Sequence, residues 1–291
     1  MSAMNIVCFG FGQVAKNFIK KLNDDGVSFN LTTTSRESSK NKKFLNINYE
    51  SFQLTEKSFD QNLTLKLKKA DHILLSIAPV NGVDIVINNF QNYFNSNNIR
   101  WMTYLSATSV YGDHEGKWVN ENSETKPTSL NGIKRLSVEN EWMKLSKKYQ
   151  LPIQIFRLSG IYSNEYNILK RLKSGEAKIV NKKNHFFSRI HVEDIANILC
   201  NSLNYFKENE IYNISDDRPA SAKEVAMYGV KLLGVEKPET IEVDKIESEM
   251  LKNFYKDSKK ISNKKMKNFF KYKLKYPTYE EGLNYIRDNF I

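Results

Sequence analysis

Cysteine is nearly absent, with two copies in 291 residues, and neither is placed for a bridge. Cys8 falls inside an apolar run and Cys200 on the apolar face of a helical pattern. Both read as small buried hydrophobes, as suits a reducing compartment. Histidine is scarce too, at positions 72, 114, 185 and 191, and no Cys/His spacing of the zinc type occurs, so no metal is expected. Long hydrophobic runs are missing: Ile73-Leu-Leu-Ser-Ile-Ala78 falls far short of the about 20 apolar residues that cross a bilayer. Met1-Ser-Ala-Met carries no basic leader. These absences lead to the expectation of a cytoplasmic protein with no membrane partner. No internal repeat and no low-complexity linker divides the chain, and a chain of this length can bury roughly three quarters of its unfolded surface without a staple.

Negative charge is in deficit. Lys and Arg number 44 against 33 Asp and Glu, a formal charge of +11. An acidic partner follows, either a phosphorylated cofactor, a nucleotide-linked substrate or nucleic acid; the alternative is a lysine-rich composition spread over every solvated face. From Lys252 to Lys275 lysines interleave with aromatics, a pattern shared by single-strand nucleic-acid surfaces and by helices with one solvated face. The second reading is preferred, and no nucleic-acid partner is expected.

What is present begins at the first residues. Ile6-Val-Cys-Phe9 is apolar on both faces, as in a buried parallel strand, and Val14, Ala15, Phe18, Ile19 and Leu22 recur at helical spacing. The turn between them reads Gly10-x-Gly12-x-x-Ala15. Gly10 permits a tight turn, Gly12 lets a pyrophosphate approach the backbone, Ala15 lets helix pack on strand, and the first helical amides, at Gln13 and Val14, attract the anion. A dinucleotide site is therefore expected, with a tight structural turn as the alternative.

Further on, strands are expected at 27–34, 45–52, 73–77, 101–106, 153–158, 188–192 and 211–214. Helical segments at 59–70, 83–94, from Ser129, from Glu193, from Ser221 to Gly234 and after Thr278 separate most of them. Such alternation predicts an α/β fold with a doubly wound parallel sheet. In such a sheet the end of the second strand meets the adenosine ribose, and NAD would be matched there by an acidic residue. Thr32-Thr-Thr-Ser-Arg36 offers hydroxyls and a guanidinium instead. NADP(H) is accordingly expected over NAD(H), with Arg36 gripping the 2′-phosphate and Ser35 supporting it. The alternative leaves Arg36 solvated and assigns binding to Glu37.

The order and spacing of several motifs identify a family. Besides the glycine turn there are Leu105-Ser-Ala-Thr-Ser-Val-Tyr-Gly112, a helix bearing Arg135 and Glu139, Phe156-Arg-Leu-Ser-Gly-Ile-Tyr162, Arg189-Ile-His-Val-Glu-Asp194 and Tyr212-Asn-Ile-Ser-Asp-Asp-Arg-Pro219. The chain resembles the extended short-chain dehydrogenase/reductases, the NAD-dependent epimerase/dehydratase group, in an atypical branch. The resemblance implies a Rossmann domain over 1–160, completed by about 186–215, with a smaller C-terminal α/β substrate domain from 161–185 and 216–291. It adds Ala78, Pro79, Ser106 and Arg135 to the cofactor contacts and a small molecule as substrate. Members of the group often pair through a helix bundle, so a monomer or a homodimer is expected.

That family uses a serine or threonine together with a tyrosine and a lysine at i and i+4 on one helical face, so that the lysine lowers the tyrosine pKa and binds ribose. The corresponding positions here are Ala107, Asn131 and Arg135. A shift of register by one puts Leu130 and Lys134 in the helix positions, still without a tyrosine. Asparagine cannot give and recover a proton as a phenol does, whereas arginine can still bind ribose hydroxyls. Thr108, Ser109, Tyr111 and His191 are the remaining proton-handling candidates, with Thr108, Tyr111, Asn131 and Arg135 the catalytic set; Tyr111 has a packing role as its alternative. Three readings follow: a reductase or epimerase with a degenerate Ser/Tyr/Lys triad, an NADP(H)-binding sensor or regulator without turnover, or unrelated chemistry on a structural nucleotide. Asn167, in a segment without the family's usual arginine, and His191 are expected near substrate, the latter with a network role beside Asp194 as its alternative. Arg157 is expected to pair with Glu139 or Asp194 if buried.

Overall fold

The computed structural model describes residues 3–94, 98–248, 252 and 255–291. Asn253 and Phe254, within the lysine- and aromatic-rich stretch, lie outside the described residues. Along the chain the elements are β1 (Met4–Phe9), α1 (Gln13–Asp24), β2 (Phe29–Ser35), β3 (Lys40–Phe44), β4 (Ile47–Gln53), α2 (Leu63–Leu67), β5 (His72–Leu75), α3 (Ile85–Phe90) and β6 (Trp101–Ala107). They continue with β7 (Trp118–Val119), α4 (Leu130–Tyr149), β8 (Ile153–Leu158), β9 (Gly160–Tyr162), α5 (Ile168–Lys173), β10 (Ile179–Asn181), β11 (Arg189–His191) and α6 (Val192–Asn204). The last are β12 (Glu210–Ile214), α7 (Ala222–Leu233), β13 (Thr240–Glu242), β14 (Lys260–Ile261), α8 (Lys264–Phe270) and α9 (Tyr279–Phe290).

Eight strands make one sheet in the order β12-β8-β6-β5-β1-β2-β4-β3. Pairing is parallel between β1 and β2, β1 and β5, β2 and β4, and β5 and β6. Because β2 leaves to one side of β1 and β5 to the other, the winding reverses at β1, and a crevice opens at the carboxyl ends of these strands. This is the expected α/β, mostly parallel, doubly wound sheet. One strand departs from the expectation: β3 runs antiparallel to β4, so a hairpin stands where only 45–52 reads as a strand. Lys40-Asn-Lys-Lys-Phe44 forms an edge with little apolar patterning, and lysines on an edge block further pairing.

The helices follow their caps. Asp84 accepts from the amides of Val86 and Ile87, so α3 begins two residues later than the apolar pattern at Val83 suggests. The segment 59–70 yields only the short α2. Ser221 accepts the Glu224 amide, and Gly234 closes α7 in the left-handed conformation at φ 64°. Thr278 and Glu281 make the complete reciprocal capping box before α9.

The chain forms two compact units. The first comprises Met1–Ser106, Lys134–Arg157 and Ile195–Tyr212, and the second Ala107–Ile133, Leu158–Asp194 and Asn213–Ile291. Residues 107–133, which the sequence reading counts with the Rossmann domain, belong to the second. The first unit's core packs Val7, Phe9, Ile73, Leu75, Phe90 and Trp142 among other buried side chains; each contributes about 1.5–3 kcal/mol of transfer free energy. The Trp142 indole donates to Asp84 Oδ2 at 2.9 Å, tying α4 to the cap of α3. In the second unit Leu169, Val225, Tyr279, Leu283 and Ile286 make a separate cluster. Among the described residues no helix is long and apolar enough to cross a membrane.

Candidate functional site

The two glycines between β1 and α1 are there for different reasons. Gly10 has φ +84°, its amide donates to Thr34 Oγ1 at 3.0 Å, and a Cβ there would meet Ser76 Oγ at 2.9 Å. The Ser76 hydroxyl in turn donates to the carbonyls of Phe9 and Gly10. The protein's own packing therefore requires Gly10. Gly12 has an ordinary extended backbone as N-cap of α1, and a Cβ on it would meet nothing within 4 Å. Nothing in the fold requires that glycine; an approaching ligand would. No side chain caps α1 and no acidic residue lies in its first turn, so its leading amides and dipole face the opening uncompensated. Gln13 Oε1 is buried without a partner at the same turn, while Val14 and Ala15 are buried in the core.

A cleft of about 780 Å³ opens over this turn. Its walls include Gly10, Phe11, Gly12, Thr34, Ser35, Arg36, Ile77 and Ala78, with Val80 beyond. Pro79, expected in the same loop, is not among the lining residues, and neither are Gln13 and Val14. Phe11 packs against Phe44 and Tyr49 at centroid distances of 5.5 and 5.2 Å, which anchors the β3–β4 hairpin beside the opening. Of the charged side chains lining the cleft, Lys16, Arg36 and Lys42 are cations and Glu56 alone is an anion. Glu56 accepts from the Asn81 side chain at 3.1 Å. Glu37 lies outside this wall and is paired with Lys40 and Lys42, whose hydrogen bonds pull its carboxyl down to about 2. Open space over Gly12, uncapped amides and a basic rim fit an anionic dinucleotide. Lys16, Lys42 and Tyr49 were not legible as site residues, the latter two because their hairpin was hidden.

The positions expected to do chemistry are differently built. Arg135, half-buried on α4, donates from Nη1 to the Leu105 carbonyl at 3.1 Å. One turn on, Glu139 binds Arg157 through Nε and Nη2, the latter at 2.7 Å, with both side chains under 5% exposed. Burial pushes the Tyr104 phenol on β6 far up, against the opposing pull of the Arg135 guanidinium. Ser106, at the end of β6, is buried with its Oγ unpartnered.

In the second unit, Asn131 is exposed in the first turn of α4 and Thr108 is half-buried where a 3₁₀ turn begins. Tyr111 is fully buried, and its hydroxyl donates to Asn213 Oδ1 at 2.7 Å, as its packing alternative anticipates. Asn167 is the N-cap of α5: Oδ1 accepts the Lys170 amide and Nδ2 donates to the carbonyls of Ser163 and Asn164. His191 is buried among Tyr162 and Tyr276, its Nδ1 accepts the Glu193 amide, and burial lowers its pKa to about 4. Asp194 accepts from the Tyr272 hydroxyl and from the amides of Lys275 and Tyr276. Tyr111, Asn167 and Asp194 thus spend their polar atoms on the scaffold. No group of three or more His, Cys, Asp or Glu is placed to hold a metal among the described residues.

Known structures share this fold over nearly the whole chain. A functionally unknown conserved protein from Silicibacter pomeroyi is 29% identical, with a TM-score of 0.86 and 99% of each chain covered. The UDP-N-acetylglucosamine 4-epimerase from Bacillus cereus is 18% identical, with a TM-score of 0.73 and 97% of each chain covered. The dTDP-glucose 4,6-dehydratase from Bacillus anthracis, solved in complex with NAD, is 20% identical, with a TM-score of 0.77 over 99% of this chain and 97% of that one. No curated protein matches in sequence. Residues 7–215, which run from the glycine turn through Ser215, match the NAD dependent epimerase/dehydratase family. With the winding reversal at β1, the uncapped α1 and that match across most of its length, the chain belongs to this family.

Proposed function

We propose that the protein binds NADP(H) in the cleft over Gly12 and acts as a reductase or epimerase whose Ser/Tyr/Lys triad is degenerate. The observation that carries the reading is the end of β2, where Arg36 and Lys42 line the cleft and Glu37, the nearest acid, is paired away to Lys40 and Lys42. A ribose bearing a 2′-phosphate suits that cationic rim, and the one carboxylate among the lining residues, Glu56, is engaged by Asn81.

In this reading the α1 amides hold the pyrophosphate, Arg36 and Ser35 the 2′-phosphate, and Ala78 the adenosine side of the cleft. The bound cofactor supplies hydride transfer, and the protein orients it. Arg135 replaces the usual lysine, keeping β6 in place and offering a cation to ribose, while Thr108 is the hydroxyl left to pass a proton to a small-molecule substrate. The reading places the protein in the cytoplasm. Recording NADPH absorbance with aldehydes and ketones, and the appearance of a product epimer from sugar nucleotides, tests it: turnover by either readout that Arg135→Ala abolishes supports the enzyme.

The commitments of Arg135 to Leu105 and of Tyr111 to Asn213 favour a second reading, an NADP(H)-binding sensor without turnover. Saturable NADPH binding with neither cofactor consumption nor a new epimer across the same substrates selects it.

A further inference from the structure

The β3–β4 hairpin carries a cation, Lys42, that lines the cleft while bonded to a carboxylate outside it. In β3, Lys42 and Phe44 are half-buried while Asn41 and Lys43 are exposed, so alternation turns Lys42 toward the cleft. Lys42 stands opposite Tyr49 in the antiparallel register, and both line the cleft with Arg36. Its ammonium is held 3.0 Å from Glu37 Oε2, and the same oxygen takes Lys40 at 2.9 Å. A carboxylate outside the cleft wall is thus already paired with a cation that lines it.

We propose that Glu37 is a resident occupant of an anion site and that Lys42 is its gatekeeper: when a cofactor 2′-phosphate arrives beside Arg36, Lys42 exchanges Glu37 for the phosphate. The inference rests on the NADP(H) reading. The exchange replaces one charge-assisted hydrogen bond by another to a group of higher charge, about −1.5 to −2 for a phosphate monoester. Lys40 keeps Glu37 neutralised afterwards, so no carboxylate is left bare. With NADH no such anion arrives, Lys42 stays on Glu37, and Glu37 remains unable to bind the ribose diol. The same triad therefore favours one cofactor and blocks the other.

Titration of NADPH and NADH into the full-length protein and into Lys42→Gln and Glu37→Gln variants tests this, with thermal midpoints to verify folding. Lys42→Gln is expected to weaken NADPH about tenfold and to leave NADH within about twofold, while Glu37→Gln tightens NADPH about threefold by removing the competitor. If the wild type prefers NADPH and Arg36→Ala removes that preference, yet both new variants bind NADPH as the wild type does, the exchange is overturned and the cofactor reading stands. A weaker NADPH affinity in Glu37→Gln also overturns the exchange. A wild type with no preference for NADPH overturns both.

Discussion

The opening over α1 and the inner face of α4 belong to the same compact unit, and they treat their polar groups in opposite ways. At the opening, the α1 amides lack a side-chain cap, Gly12 faces empty space and Gln13 Oε1 and Thr33 Oγ1 lack partners. Along α4, Arg135 is spent on Leu105, Glu139 on Arg157, and Trp142 on Asp84. The α1 amides stay open, whereas these three α4 side chains are bonded to neighbouring strands and a helix cap. Binding an anion needs mainly backbone geometry, which tolerates side-chain change, whereas acid–base catalysis needs particular side chains. On the proposed reading, a family member retains its cofactor opening while Ala107, Asn131 and Arg135 stand where the family's triad is expected.

The largest expected effect lies on the α4 side. Glu139→Ala removes the carboxylate from a buried guanidinium and is expected to cost about 3–5 kcal/mol in denaturant unfolding. A loss below about 1 kcal/mol would show that this face is not scaffold. The glycines sharpen the other side of the contrast. Gly10→Ala, which must adopt φ +84° against Ser76, is expected to destabilise by about 1–3 kcal/mol. Gly12→Ala is expected to change stability by less than about 1 kcal/mol yet to weaken NADPH by more than about tenfold. Calorimetric titration beside thermal unfolding separates the two, and equal behaviour of both variants would break the distinction.

A smaller effect belongs to the second unit. His185 is buried between Phe187 and Tyr255, and its pKa is lowered to about 4, first by burial and then by Lys182. A depressed folded value means that the unfolded chain takes up the proton first. The stabilisation is complete above about pH 6.5, is lost as pH falls from there to about 4, and changes no further below. At pH 5 the loss is on the order of 1 kcal/mol. Thermal midpoints at pH 7 and pH 5 should therefore converge more closely in His185→Phe than in the wild type. Arg135→Ala is expected to cost about 1 kcal/mol of stability for one half-buried hydrogen bond. A much larger loss would assign Arg135 wholly to the scaffold.

The parts legible in the sequence are those with local causes. The β1–α1 turn announces itself because a buried apolar strand, two glycines and a helical stripe lie within about twenty residues, and the caps at Ser221 and Thr278 are equally short-range. The doubly wound class of the sheet, though not its strand order, follows from strand and helix alternation. The β3 hairpin escapes that logic, since an exposed, lysine-rich edge strand has no apolar alternation to read, and Lys42 and Tyr49 were hidden with it. Tyr111 and Asn213 are 102 positions apart, so nothing near either residue discloses their bond. The Arg157–Glu139 pair could be anticipated because a buried guanidinium demands a carboxylate and few were within reach.

The most direct measurement is a competitive titration of NADPH against NADH into the wild type and Arg36→Ala. The account predicts NADPH at least about tenfold tighter in the wild type and near-equal affinities in the variant. Equal affinities in the wild type, or a preference that survives loss of Arg36, would contradict it.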